Sequence, residues 1–293
     1  MEVRDFGTTG LRVSILGLGA SHIGAETVTE EEAARFLNEA LDLGITLVDT
    51  ARGYGLSEER IGRHIAHRRS EFVLSTKIGY GIPDTRDWTP ECIRLGIDAA
   101  LERMRTDYLD IVHFHSCELW RLERSGIIEP LLDAVALGKV RVAAYSGENE
   151  PRSWAIRSGH FKSVQTSINI CDQQVLDTDL PEAARHGLGV IAKRPIANAF
   201  WRFTDQPAGD YSEPYWLRAR QMGLTPGGLP WDEFALRFTA HTPGVSSCIV
   251  GTSRLENLRK NAELAGKGPL PPELYAATRD LFRRHDNGWE GQV

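Results

Sequence analysis

Groups able to carry protons stand at the ends of three apolar runs in this chain. The run 45–48 ends in Asp49, the run from 72 ends in Lys77, and the run from 108 ends in His115. After the first of these, Tyr54 lies between Gly53 and Gly55, and Ser57 opens a helical pattern. The spacing predicts buried strands that deliver charged side chains at their C-terminal ends, with a tight loop presenting one phenol. Alone, Asp49 would cap a turn, Tyr54 would cover core, and a charge at a strand end would form a structural ion pair. A carboxylate, a phenol, an ammonium and an imidazole on successive strands form a constellation suited to proton transfer.

The elements around these residues repeat one unit. A Thr9-Gly10 turn within 3–14 predicts a β-hairpin, and 13–19 predicts the first buried strand, closing in Gly17-Leu18-Gly19. No third glycine at the right spacing opens a helix there, so this is no dinucleotide fingerprint. Thr29 and Glu32 form a capping box for an amphipathic helix that Gly44 stops. Strands are predicted at 45–49, 72–77, 108–115, 140–145, 163–169, 189–193 and 246–251. Helices are predicted at 57–66, 90–105, 127–137, 154–157, 180–186, 231–240 and 254–265, with a final one at 272–284. Residues 196–229, rich in Gly, Pro and aromatic rings, are expected to form a loop. Eight strand-then-helix units with no shift in composition predict an α/β fold, a (β/α)8 TIM barrel with an N-terminal β-hairpin, spanning 1–293 as one domain.

Composition narrows the partners. The 293 residues carry a net charge of −6, with 41% hydrophobic and 25% charged side chains. That describes an ordinary globular protein and argues against nucleic acid or an anionic membrane surface as partner. No apolar run approaches the ~18 residues of a membrane span. Four scattered cysteines, Cys92, Cys117, Cys171 and Cys248, show no CxxC spacing and fit thiols in a reducing cytoplasm. A monomer or weak homo-oligomer is expected.

The ordered motifs are similar to those of the aldo-keto reductase superfamily. They are Val48-Asp49-Thr50-Ala51 with Tyr54-Gly55; Ser75-Thr76-Lys77; the run from Leu109 to His115; Gly138-Lys139-Val140-Arg141 leading to Ser146; and Gly251-Thr252-Ser253 with Asn261. The resemblance implies an NADPH-dependent oxidoreductase that reduces an aldehyde or ketone, or runs in reverse on an alcohol or sugar. It casts Tyr54 as general acid, Lys77 as the ammonium that favours phenolate, Asp49 as the group holding Lys77, and His115 as the donor that orients the substrate oxygen. The spacing from Asp110 selects His115, which makes His113 a buried, hydrogen-bonded histidine one layer down. The two histidines share a strand face, so a metal pair is the alternative, with a metal-dependent hydrolase as the function.

For the cofactor, the resemblance points to Ser146 and Gln165 at the nicotinamide carboxamide and to Ala20, Ser21 and Asp49 as further cofactor-binding residues. Thr252, Ser253 and Arg254 stand at a helix N-terminus that favours an anion, and Asn257 and Asn261 lie toward the adenine. Arg254 suits a ribose 2′-phosphate, which makes NADPH the expected cofactor and NADH the lesser one. Lys260, in place of an acidic residue, and Ser116-Cys117, in place of a bulky aromatic, depart from the family, and two further departures bear on the nicotinamide. Gly147 replaces an asparagine, and Lys193, followed by Arg194, replaces an aromatic ring under the nicotinamide; either Lys193 meets cofactor phosphate or another aromatic substitutes, and both Lys193 and Arg194 are expected to bind the cofactor. These departures keep open a nucleotide-binding regulatory module of the same fold with little turnover. Trp201, Phe203, Tyr211, Tyr215 and Trp216 either line a substrate pocket or pack their loop onto the barrel.

Overall fold

The computed structural model describes residues 1–292. A hairpin of β1 (Val3–Asp5) and β2 (Arg12–Ser14) precedes eight parallel strands that close on themselves. These are β3 (Leu16–Gly19), β4 (Leu47–Asp49), β5 (Val73–Ile78), β6 (Leu109–His115), β7 (Val140–Ser146), β8 (Ser163–Ser167), β9 (Gly189–Lys193) and β10 (Ser247–Gly251). β10 pairs with β3, in the register Val250 to Leu18, and completes the (β/α)8 barrel. The first barrel strand is shorter than its apolar run, because Val13 is taken into the hairpin opposite Arg4. β8 likewise ends at Ser167, where Asn169 bridges Asp172 instead of continuing the ladder.

Helices cover the barrel in order: α1 (Glu30–Asp42), α2 (Ser57–His64), α3 (Pro90–Met104), α4 (Leu119–Arg124), α5 (Ile128–Ala136), α6 (Asn149–Arg157), α7 (Asp179–Arg185), α8 (Glu213–Met222), α9 (Trp231–Ala240), α10 (Leu255–Gly266) and α11 (Pro272–His285). Side-chain caps start two of them as expected. The Thr29 side chain accepts the Glu32 N–H while Glu32 reaches back to Thr29, and Thr89 caps α3 with Pro90 at its first turn.

Two elements depart from the sequence expectation. α4 lies in the loop after β6, and α8 occupies ten residues of the stretch expected as loop. Pro214 in its first turn and Gly223 at its left-handed C-cap are ordinary helix signals, masked by the glycines and prolines around them.

The two ends of the barrel are built differently. At the N-terminal end the hairpin side chains Phe6, Leu11 and Val13 pack against Leu47, Val73, Ile111, Val142 and Ile191 of the strands. Gly189 is required there, because a Cβ would stand 2.6 Å from the Phe6 ring. At the same end, buried Asp110 accepts from Arg69 at 2.6 Å, Arg141 at 2.8 Å and the Leu74 amide at 2.8 Å, tying β5, β6 and β7 together. The C-terminal end stays open and carries the polar residues.

Candidate active site

Asp49 and Lys77 end adjacent strands of the barrel, and both side chains are buried. The Lys77 ammonium donates to Asp49 Oδ2 at 2.6 Å and to the Thr50 carbonyl at 2.8 Å. Ser75 Oγ and Gln165 Nε2 donate to Asp49 Oδ1 at 2.8 and 3.0 Å, so both carboxylate oxygens have donors. Burial works against the charge on Lys77, but Asp49 and the neighbouring Tyr54 outweigh it and hold its pKa above the usual lysine value. The Lys77 nitrogen lies 4.9 Å from the centre of the Tyr54 ring.

The Tyr54 loop is fixed by a close backbone approach. Gly24, in a short 3-10 turn after β3, packs so tightly that a Cβ there would fall 1.7 Å from the Tyr54 carbonyl oxygen. Gly55 completes the contact with φ +54, and the Leu56 amide donates to the Gly24 carbonyl at 3.0 Å. Below it, Ser57 Oγ accepts from Thr50 and donates to the Ala20 carbonyl, joining the ends of β3 and β4 to α2.

His115 meets Tyr54 edge-on at 5.9 Å between ring centres. Tyr80 stacks on the same imidazole at 5.6 Å, its hydroxyl 2.6 Å from His115 Nδ1. Burial, then the charges of Lys77 and Lys193, push the His115 pKa down to about 3, so the ring is neutral at physiological pH. His113 is wholly buried one layer below and pushed down to about 4, chiefly by burial. It is hydrogen-bonded only weakly: Nδ1 is 3.4 Å from both Ser75 Oγ and the Thr76 carbonyl, and Nε2 has no partner.

These side chains open onto one cavity of about 720 Å³. Tyr54, Lys77, His115, Ser21, Ser146, Gln165, Lys193 and Arg194 all line it. Ser146 Oγ donates to Gln165 Oε1 at 2.8 Å, and Gln165 passes the chain on to Asp49. A second cleft of about 420 Å³ adjoins it at His22 and is lined by Ser253 and Arg254 together with Arg35. Ala20 is buried with its N–H on the Asp49 carbonyl, and lines neither space. Thr252 Oγ1 accepts the Arg254 amide and Asn257 Nδ2, which closes the turn before α10, while Asn261 is buried along that helix.

The departures at Gly147 and Lys193 have physical causes in the fold. A Cβ on Gly147 would stand 2.4 Å from the Tyr145 hydroxyl, which donates to the Cys117 carbonyl at 2.8 Å. Tyr145 therefore fills the space an asparagine would need. Lys193 lies 3.1 Å from Glu148 Oε1, a buried carboxylate that also accepts from Thr166 Oγ1 and from the amide and hydroxyl of Ser167. Burial opposes the charge on Glu148, but Lys193 and these donors hold its pKa below the usual range. Arg194 donates to Ser167 Oγ at 2.8 Å and carries left-handed backbone with φ +56. Sequence reasoning missed Glu148 and Tyr80. Glu148 gives no local signal, whereas Gly79-Tyr80-Gly81 repeats the Gly53-Tyr54-Gly55 pattern.

The aromatic stretch divides. Tyr211 lines the cavity, but Trp201 stacks on Trp231 at 5.7 Å, Trp216 donates to the Phe203 carbonyl, and Tyr215 is fully buried. Those rings pack the segment onto the barrel.

Comparison with known proteins agrees with this architecture. The aldo/keto reductase family profile matches residues 15–282. The chain is 29% identical to L-galactose dehydrogenase of Arabidopsis thaliana over 278 residues, covering 89% of this chain and 87% of that protein. It is 28% identical to a D-threo-aldose 1-dehydrogenase of a Pseudomonas species, covering 91% and 93%. An aldo-keto reductase from Bacillus halodurans, solved in its holo form, superimposes with a TM-score of 0.80 at 25% identity over 96% of each chain. With eight strands closed into a barrel and the family profile spanning nearly all of it, the chain belongs to the aldo/keto reductase family and is an NAD(P)H-dependent oxidoreductase.

Proposed function

We propose that the protein reduces an aldehyde or ketone to the alcohol, or oxidises a sugar or other alcohol in reverse, with NADPH as cofactor and Tyr54 as the proton donor. The observation that carries this reading is the buried 2.6 Å Asp49–Lys77 pair beneath Tyr54, beside a neutral His115. A nicotinamide fits the residues present, because the Ser146 hydroxyl and Gln165 amide at the cavity wall match a carboxamide in donors and acceptors. Bound there, the nicotinamide supplies or accepts hydride at carbon.

The chain's own groups manage the proton. Tyr54 donates from its hydroxyl to the carbonyl oxygen, and the Lys77 charge stabilises the phenolate left behind. Asp49 holds that charge in place. His115 orients the oxygen through an N–H rather than a positive charge. Lys193 is committed to Glu148, so Ser253 and Arg254 in the adjoining cleft are the better candidates for phosphate, with Arg254 on the 2′-phosphate. The substrate is a small polar carbonyl compound, in keeping with Asn198, Arg202, Asp210 and Tyr211 in the cavity wall. Four unpaired, buried cysteines support a cytoplasmic setting.

The test is a fluorescence titration with NADPH and NADH on wild type and Arg254→Ala. The substitution is expected to weaken NADPH roughly ten- to a hundredfold, the scale of a charge-assisted contact, while leaving NADH nearly unchanged. Failure of the wild type to bind either nucleotide would overturn the reading.

A further inference from the structure

We infer that Tyr80 sets the tautomer of His115, donating its hydroxyl proton to Nδ1 so that the ring N–H stands on Nε2 and faces the cavity. The inference rests on the reading of His115 as the partner of the substrate oxygen. It makes Tyr80 a positioning residue that never touches substrate.

A neutral imidazole carries one N–H and one bare nitrogen, and which is which depends on the partners. His115 is neutral because burial and two nearby lysines disfavour its charge. Its Nδ1 lies 2.6 Å from the Tyr80 oxygen, so one of these two atoms donates to the other. Among the described residues the Tyr80 hydroxyl has no second hydrogen-bond partner. If Nδ1 carried the proton, the Tyr80 hydrogen would have no acceptor within the protein. Nε2 would then present a lone pair to a carbonyl oxygen, which repels it. If Tyr80 donates, both groups are satisfied and Nε2–H is free for the cavity that His115 lines. Burial and the neighbouring Tyr54 oxygen raise the Tyr80 pKa, which keeps its hydroxyl protonated and able to donate.

The backbone holds Tyr80 to this task. Gly79 has φ +132, and a Cβ there would strike the Trp88 ring at 2.3 Å. Gly53 leaves room for the hydroxyl, since a Cβ at that position would approach the Tyr80 oxygen to 3.0 Å. The phenol is thus wedged between the Tyr54 loop and His115, with its ring stacked at 26° to the imidazole plane. A Tyr80→Phe substitution keeps the stacking and removes only the hydroxyl.

The experiment is nitrogen NMR on protein labelled with 15N-histidine, with His115→Gln used to assign the His115 signals among the nine histidines. In the wild type, Nε2 is expected to carry the proton and Nδ1 to be bare. In Tyr80→Phe, the signals are expected to show a mixture of tautomers or the opposite one. With that change, kcat should fall roughly tenfold, the scale of one hydrogen bond, while cofactor affinity and melting temperature stay the same. A wild-type proton on Nδ1, or a Tyr80→Phe spectrum with the wild-type tautomer, would overturn the inference. Absence of turnover on every carbonyl would sink the functional reading instead, and the spectra would still decide the tautomer.

Discussion

Two loops of this molecule share the tripeptide Gly-Tyr-Gly and bring both phenols against one imidazole. Tyr54 follows β4 and meets His115 edge-on, while Tyr80 follows β5 and stacks on it. Their neighbours separate them. Tyr54 has the Lys77 ammonium 4.9 Å from its ring centre and opens onto the cavity. Tyr80 has the imidazole nitrogen as its partner, and its pKa rises with burial. On the proposed reading, identical side chains on matching loops do different work. Tyr54 would pass its proton to the substrate oxygen, and Tyr80 would share its own with the imidazole.

The sharpest way to break this comparison is to remove each hydroxyl in turn. Tyr54→Phe is expected to lower kcat by about 10²–10⁴-fold, the range of a lost general acid, with nucleotide affinity unchanged. That loss should far exceed the one for Tyr80→Phe, and equal losses in steady-state kinetics would erase the distinction. Lys77→Met tests the cation itself. It leaves Asp49 buried without its counter-charge, so a loss on the order of 3 kcal/mol in urea denaturation should accompany the loss of turnover.

Loop placement comes next. Gly24→Ala pushes against the Tyr54 backbone and should cost about 1–3 kcal/mol of stability together with activity. Gly79→Ala meets the Trp88 ring instead, so shrinking Trp88 should relieve part of its cost, and no side-chain change should relieve Gly24→Ala.

The smallest effect concerns the layer below. The folded-state pKa of His113, about 4, lies beneath the ordinary 6.5, so the unfolded chain binds more protons between these values. Its contribution is present above pH 6.5 and is lost as pH falls toward 4. Relative to His113→Leu, the wild type should therefore lose on the order of 2 kcal/mol between pH 7 and pH 5. Comparison with the variant cancels Glu58 and Asp172, whose raised values near 7 titrate in the opposite sense.

Much of this arrangement was legible in the sequence because it is written locally. Apolar runs ending in Asp49, Lys77 and His115 mark strand ends, and Thr29 with Glu32 marks a helix start. Closure of eight such units then forces the charged ends onto one face. What escaped was set by distance along the chain. Nothing near Lys193 announces Glu148, which reaches it from the loop after β7 across β8. The bulk that excludes a side chain at Gly147 belongs to Tyr145, and only strand direction turns that ring toward it. α8 carried ordinary capping signals, but they sat within a stretch whose composition resembles a loop. The aromatic rings of that stretch gave a hydrophobic signal without a direction, and packing sent all but Tyr211 away from the cavity wall.

The hairpin at the N-terminal end has a kinetic consequence. With Phe6, Leu11 and Val13 stoppering the barrel from below, the cavity opens at the other end, beside Tyr54 and His115. Where two molecules share that space, the one nearer the opening would have to leave before the one beneath it. Occupancy of such a site follows the rules of a queue, and the slowest departure sets the pace for every molecule behind it.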